Sequence, residues 1–320
     1  MFSFSDYLIM PAIAMPMVAI VAVALDFTLG EPRRFHPLVG FGFLANKLEA
    51  RFNPKAKQNS PTQRFTGLIA LLLLILPFVI LAYWLCHHLI TCFVANTLLL
   101  YFAIGHKSLH EHARAVSAAL NNNDEDLAKT AASYMVSRDS SAIEPIPATV
   151  ESVLENGNDG VFGALFWFFI AGGTGALLFR LANTMDAMWG YKTPRFFYFG
   201  WAAARFDDAL NYIPARLTAL TYALLGNTKL ALRCWKSQAP TWDSPNAGPV
   251  MSSGAGALNV KLGGAARYFG EWHERPVLGA GNPPVLNDIE RALALVRHGV
   301  YIWLGIFSII TLMIASIAHA

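Results

Sequence analysis

The stretch FTGLIALLLLILPFVILAYWLCHHLITCFVANTLLLYFAIGH, Phe65 to His106, contains no Asp, Glu, Lys or Arg. A helix needs about 20 apolar residues to cross a hydrocarbon core about 30 Å thick, so this run is long enough to cross twice. The polar pair His87-His88 near its middle places a tight turn there. Three further blocks carry the same signature. Leu8 to Leu25 is uncharged and framed by Asp6 and Asp26; Val161 to Phe179 is apolar but softened by Gly172, Gly173 and Gly175; Gly299 to Ala320 is apolar up to His319. No Lys or Arg precedes the first block, so it reads as a membrane helix and not as a leader peptide. The expected fold is therefore all-α: a multi-pass integral membrane protein in one domain, 1–320. Its helices are expected at about 8–25, 66–86, 89–105, 161–179 and 299–318, with polar segments at 26–64, 106–160 and 180–298. The block at 161–179 reads as re-entrant or buried among other helices; pairing with the apolar run Leu217 to Leu225 is the other arrangement.

Composition supports the lipid reading. Hydrophobic residues make up 55% of the chain and charged residues 14%, against about 25% charged in a soluble domain. Mean hydropathy is +0.41. The net charge is +3, too small and too scattered for a nucleic-acid partner. Three cysteines, Cys86, Cys92 and Cys234, give no disulfide framework. Between Asp26 and Phe65 lie Arg33, Arg34, Lys47, Arg51, Lys55, Lys57 and Arg64 against Glu31 and Glu49. That excess puts the loop, and with it the polar segments, on the cytoplasmic side of the cell's inner membrane.

The polar segments hold four groups of chemistry-bearing residues. SLHEHARAVSAAL at Ser108 to Leu120 and the helix-like run Leu127 to Val136 form an amphipathic pair closed by Ser137-Arg138-Asp139-Ser140. In ATVESVLENGNDG, Ala148 to Gly160, the carboxylates Glu151, Glu155 and Asp159 fall at i, i+4 and i+8. A continuous helix would line them on one face, where like charges repel unless a cation lies between them. Asn183 to Arg216 contains Asp186, Lys192, Arg195, Arg205, Asp207, Asp208 and Arg216 among many aromatics. Either ion pairing or ligand binding accounts for those charges. Trp242 to Gly264, WDSPNAGPVMSSGAGALNVKLGG, reads as a Gly- and Ser-rich loop whose N–H groups can approach phosphate oxygens. It is not a Walker A motif, because no Gly-Lys-Ser/Thr follows at the required distance. GEWHERPVLG at Gly270 to Gly279 closes the polar region.

Taken together and in this order, these strings resemble the CobD/CbiB family of membrane-bound adenosylcobinamide-phosphate synthases of cobalamin biosynthesis. The resemblance rests on LDFTLGEPRRFHPLVGFG at Leu25, SLHEHARAV at Ser108, VSRDSSAIE at Val136 and ATVESVLENGNDG at Ala148. It continues through NTMDAMWGYK at Asn183, FGWAAARFDDALNYIPARLTA at Phe199, SPNAG at Ser244 and GALNVKLGG at Gly256. It implies ATP-dependent amide formation between (R)-1-aminopropan-2-ol, or its O-phosphate, and a propionate carboxylate of adenosylcobyric acid, a corrinoid. ATP and magnesium are the expected co-substrate and metal, and association with other enzymes of the pathway is allowed for.

Carried onto this chain, the resemblance suggests Glu151, Glu155, Asp159, Asp207 and Asp208 as catalytic groups, the first three also as magnesium ligands. Arg138, Asp139, Asn183, Asp186, Lys192, Arg195, Arg205, Arg216, Ser244, Asn246 and Gly248 are the suggested substrate contacts. The competing reading is a non-enzymatic membrane signalling protein of the AmpE type. Against it stands the retained set of carboxylates and arginines, which a scaffold does not need. A transporter is disfavoured because the charges gather in the polar segments instead of mid-span.

Overall fold

The computed structural model describes residues 4–32, 36–54, 60–136, 138–268 and 270–318, with side chains from residue 14 to residue 317 of that range. Arg33, Arg34, Phe35, Lys55, Lys57, Ser137 and His319, which enter the sequence reading, lie outside the described residues. In chain order the elements are α1 (Phe4–Leu29), α2 (Pro37–Phe52), α3 (Gln63–His87), α4 (Cys92–Ala103), α5 (His106–Asn121), α6 (Glu125–Ser133), α7 (Pro145–Gly157) and α8 (Gly163–Trp189). They continue with α9 (Trp201–Leu225), α10 (Thr228–Gln238), α11 (Ala247–Leu258), β1 (Lys261–Gly263), β2 (Ala266–Tyr268), β3 (Glu271–His273), β4 (Val277–Gly279) and α12 (Asn287–Ala318). A π-helical turn, Asn158–Phe162, joins α7 to α8.

Four helical stretches are long and apolar enough to cross a membrane: Gln63–His87, Cys92–Asn121, Pro145–Trp189 and Asn287–Ile317; Ala14–Leu29 is a shorter apolar one. All five expected membrane helices therefore have a counterpart, and α3 stops at His87 where the turn was expected. In the most apolar window of the last stretch only 17% is buried within the protein. Ile306, Ile309, Ile310 and Met313 are thus left exposed, which suits lipid and not water.

The chain divides into two compact units: residues 1–105, 163–211 and 306–320, and residues 106–162 and 212–305. In the first, Phe41, Leu71, Leu74, Ile75, Met185, Trp189 and Phe199 form a buried cluster from α2, α3, α8 and the turn before α9. Gly67 allows that closeness, since a Cβ there would lie 2.0 Å from the Phe199 carbonyl oxygen. The apolar block at 161–179 runs from the π turn into α8, which is broken at Ala171 and Gly172, where Gly172 has φ +61°. A helix break frees backbone groups that lipid cannot satisfy. Buried Asn96 takes the role of partner: its Oδ1 accepts from the Gly173 N–H at 2.6 Å, and its amide donates to the Cys92 carbonyl at 2.7 Å.

In the second unit, α5 and α6 form the expected amphipathic hairpin, turning at Asn123 with φ +57°. The stretch expected as a phosphate-approaching loop is mostly a helix. All twelve residues of α11 are buried. Its Gly and Ser residues serve close packing: a Cβ on Gly256 would sit 2.7 Å from the Ala231 Cα of α10. After α11 come two antiparallel hairpin ladders, β1 with β4 and β2 with β3, which the reading by composition did not anticipate. Gln238 seals the β4 edge, its amide donating to the Gly279 carbonyl at 2.8 Å and its oxygen accepting from the Gly279 N–H at 2.7 Å.

Candidate functional site

In the second unit the most concentrated polar chemistry centres on Glu151. Pro145 starts α7 at a position where its missing N–H costs nothing, and the helix carries Glu151 into the interior with 3% of it exposed. A lone buried carboxylate is costly, and three neighbours offset that cost. Arg138 donates to Oε2, Arg275 reaches Oε2 at 3.0 Å and Oε1 at 3.3 Å, and the Gly263 N–H reaches Oε1 at 2.9 Å. Arg275 is fixed in turn by its Nε on the Gly264 carbonyl, 3.0 Å, and lies over the Trp242 ring at 5.4 Å. Arg275, Gly263 and Trp242 were not among the sequence-derived site residues; the string GEWHERP held Arg275 but gave it no partner.

Both Glu151 oxygens are thus engaged by protein donors, two guanidinium groups and one backbone N–H. The α-helical register that would align three carboxylates ends at Gly157, and Asp159 falls in the π turn, where it accepts from Asn158 Nδ2 at 2.8 Å. The turn is held by Thr218, whose hydroxyl donates to Asn158 Oδ1 at 2.9 Å, and by Tyr222, whose hydroxyl donates to the Leu154 carbonyl at 3.1 Å. Gly157 is required beneath it, because a Cβ there would meet the Tyr222 hydroxyl at 2.3 Å. Among the described residues no three His, Cys, Asp or Glu side chains are grouped to hold a metal ion. Glu155, one turn beyond Glu151, is half-buried, and its side chain makes no hydrogen bond or ion pair within the described residues.

Asp139 accepts from the Gly270 N–H at 2.8 Å and lies 3.5 Å from Arg267, fastening the segment before α7 to the β2–β3 hairpin. Arg216 stacks on Tyr212 at 3.5 Å and donates to Asn246 Oδ1 at 2.7 Å and the Pro245 carbonyl at 2.9 Å. Burial lowers its pKa from the usual guanidinium value. Ser244 accepts from the Asn246 and Ala247 N–H groups at 3.3 and 3.2 Å, capping the start of α11. Gly248, in the first turn of α11, is closely packed: a Cβ on it would lie 2.7 Å from the Ala239 carbonyl oxygen. The expected turn thus lies at a helix N-terminus, with Asn246 bonded to Arg216.

The remaining site residues belong to the first unit. Asn183 donates to buried Asp207 at 3.4 Å. Asp208 pairs with Arg205 at 3.6 Å; burial raises its pKa, opposed by Arg205 and Lys192. Asp186 stands over Gly190, where a Cβ would be 1.9 Å from its Oδ1. Arg195, largely exposed, donates from Nε and Nη2 to buried Glu49 at 3.0 and 2.5 Å, and Glu49 also accepts from Asn53 at 3.0 Å.

The CobD/Cbib protein family matches residues 19–296, a span that includes every one of these groups. The chain belongs to this family. It is 51% identical over 305 residues to "Cobalamin biosynthesis protein CobD" of Chromobacterium violaceum, covering 94% of this chain and 97% of that one. The protein of the same description from Stutzerimonas stutzeri is 54% identical over 286 residues, 88% and 93% of the two chains. That from Mycobacterium tuberculosis strain CDC 1551 is 35% identical over 288 residues, 87% and 90%. No solved structure matches the chain.

Proposed function

We propose that the protein acts in cobalamin biosynthesis by joining (R)-1-aminopropan-2-ol, or its O-phosphate, to a propionate carboxylate of adenosylcobyric acid at the expense of ATP. The observation that carries this reading is the family match over 19–296 together with the retained charged strings inside it. A free carboxylate is a poor acyl donor. Transfer of the ATP γ-phosphoryl group to it gives an acyl phosphate and ADP; the neutral amine then attacks the acyl carbon, phosphate leaves, and the amine gives up a proton. The attack needs a base within reach of the nitrogen. Glu155, a half-buried carboxylate one turn beyond Glu151 whose side chain makes no hydrogen bond or ion pair among the described residues, takes that role. Glu151 holds Arg138 and Arg275 in place beside it. Arg216, with Ser244 and Asn246 at the positive end of α11, is placed to meet phosphate charge. In the first unit, Asp207 and Asp208 with Lys192 and Arg205 are a second set of ionic contacts. Magnesium enters with ATP as part of that substrate.

ATP places the reaction on the cytoplasmic side, in agreement with the basic loop before α3. The test is an assay of detergent-purified protein with adenosylcobyric acid, ATP, magnesium and each amine in turn. ATP-dependent amide formation supports the reading, and the better amine identifies the substrate. No product with either amine from folded protein overturns it as a reaction of this chain alone.

A further inference from the structure

LDFTLGEPRRFHPLVGFG, one of the strings that carry the family resemblance, runs into α2, whose outward face has no part in the chemistry above. Two contacts in the first unit set how α2 lies on α3. Phe41, near the start of α2, meets Phe78 with ring centroids 5.6 Å apart. Asn53, at the end of α2, accepts from Gln63 Nε2 at the start of α3 at 3.1 Å. The two helices are therefore antiparallel, α2 running from beside the middle of α3 to its beginning. Because α3 is long and apolar enough to cross a membrane, the start of α2 lies at depth and its end at the surface.

The outward face of α2 changes character to match. Val39, Phe43 and Leu44 are exposed in its first half, and Lys47 and Arg51, four positions apart, in its second. On α3 the same change takes one step, from exposed Arg64 to Phe65, which is 67% exposed, with Leu68 and Leu72 following. Both changes fall at one level, since Asn53 and Gln63, bonded to each other, flank them. Arg195 fixes that level: besides gripping Glu49, its carbonyl accepts from Asn53 Nδ2 at 3.0 Å. Glu49 is the single acid of α2 and is buried; α3 has none. Arg64 instead lies over two rings, Tyr198 at 5.4 Å and Trp201 at 5.2 Å, and Lys47 over Phe43 at 4.5 Å. Lys47, Arg51 and Arg64 make no ion pair among the described residues.

Exposed cations bordering exposed apolar side chains fit one occupant. A soluble anion would answer the charges and leave Val39, Phe43 and Phe65 in water, which is unfavourable. An anionic phospholipid answers both: its headgroup meets the cations and its acyl chains cover the apolar residues. Tyr198 and Trp201 stand at the depth where amphipathic rings favour the interface. We propose that Lys47, Arg51 and Arg64 form a binding site for the headgroup of an anionic phospholipid.

The test compares thermal unfolding of the full-length protein in nanodiscs of phosphatidylcholine with and without phosphatidylglycerol. Each variant is referred to its own Tm in phosphatidylcholine, so the stability cost of the substitution itself cancels. A ligand that binds only the folded state raises the Tm in a concentration-dependent way. The expected result is such a rise in the parent, a smaller one in Arg64→Gln, and none in the variant combining Lys47→Gln, Arg51→Gln and Arg64→Gln. Where the combined variant does not insert, Lys47→Gln with Arg51→Gln carries the test and is expected to lose most of the rise. Lys236→Gln, at an exposed lysine of α10, is expected to keep all of it. No rise in the parent, an equal rise in the parent and the combined variant, or the same loss in Lys236→Gln overturns the proposal. An equal rise from inorganic phosphate in neutral detergent also overturns it, in favour of a soluble anion.

Discussion

Arg275 binds both carboxylate oxygens of Glu151, at 3.0 and 3.3 Å, although the two residues stand 124 positions apart in the chain. Arg138 joins from the other side, so one buried carboxylate is shared by two guanidinium groups that are 13% and 14% exposed. Removing one member of such a cluster leaves the rest buried without compensation, a loss of roughly 3–5 kcal/mol for a buried pair. Glu151→Gln is expected to lose stability on that scale, read as a fall in the Tm of detergent-solubilised protein. Arg275→Met combined with Glu151→Gln is expected to cost less than the sum of the two single changes. Additive costs would show that the two residues do not act as a unit.

Glu155 has no partner to lose. Glu155→Gln is accordingly expected to leave the Tm near that of the parent while lowering kcat for amide formation by about 10²–10⁴-fold, the usual contribution of a positioned base. A variant with full activity and an unchanged pH profile would remove Glu155 from the proposed chemistry.

Asp208 connects stability to pH. Burial raises its pKa in the folded protein above the ordinary carboxylate value of about 3.9. The folded state then holds this proton more tightly than the unfolded state does. Its contribution is fully present below the unfolded value and is lost as pH rises through the folded one. Asp208→Asn removes that dependence. At pH 7 it is expected to be at least as stable as the parent, with the difference shrinking as pH falls through the carboxylate range. If it also loses activity, the unfavourable burial serves the reaction and not the fold.

The break in α8 depends on one amide side chain. Asn96→Ala would orphan the Gly173 N–H that Asn96 Oδ1 accepts at 2.6 Å. The expected cost is about 1–3 kcal/mol for an unsatisfied buried donor, with hydrogen exchange at Gly173 becoming faster. Asn96→Asp keeps the acceptor and is the comparison that separates loss of the hydrogen bond from loss of packing. Gly172→Ala adds strain of a different kind, because φ +61° disfavours a Cβ and Asn96 Oδ1 would lie 2.6 Å from it.

Much of the architecture was legible because lipid imposes a simple rule. Runs without charge at Leu8, Val161 and Gly299 are helical, and the run from Phe65 forms two helices, α3 and α4, with the His87-His88 turn where α3 ends. The segment from Ala247 to Leu258 was misread for an equally physical reason. Gly and Ser favour loops in isolation, yet the same small residues let α11 pack with its backbone close to α10. Charges were the least legible: that Arg195 pairs with Glu49, and Glu151 with Arg138 and Arg275, is written in no single string of the sequence.

The sequence by itself determined that this chain lives in a membrane, roughly where its helices run, and that it belongs with proteins of cobalamin biosynthesis. Those conclusions rest on hydrophobic periodicity and on local strings, both of which survive without knowledge of contacts. Only the tertiary structure decided which charge meets which. A carboxylate offers the same oxygens to a magnesium ion, an amine or an arginine, and the choice among them is made by residues more than a hundred positions away.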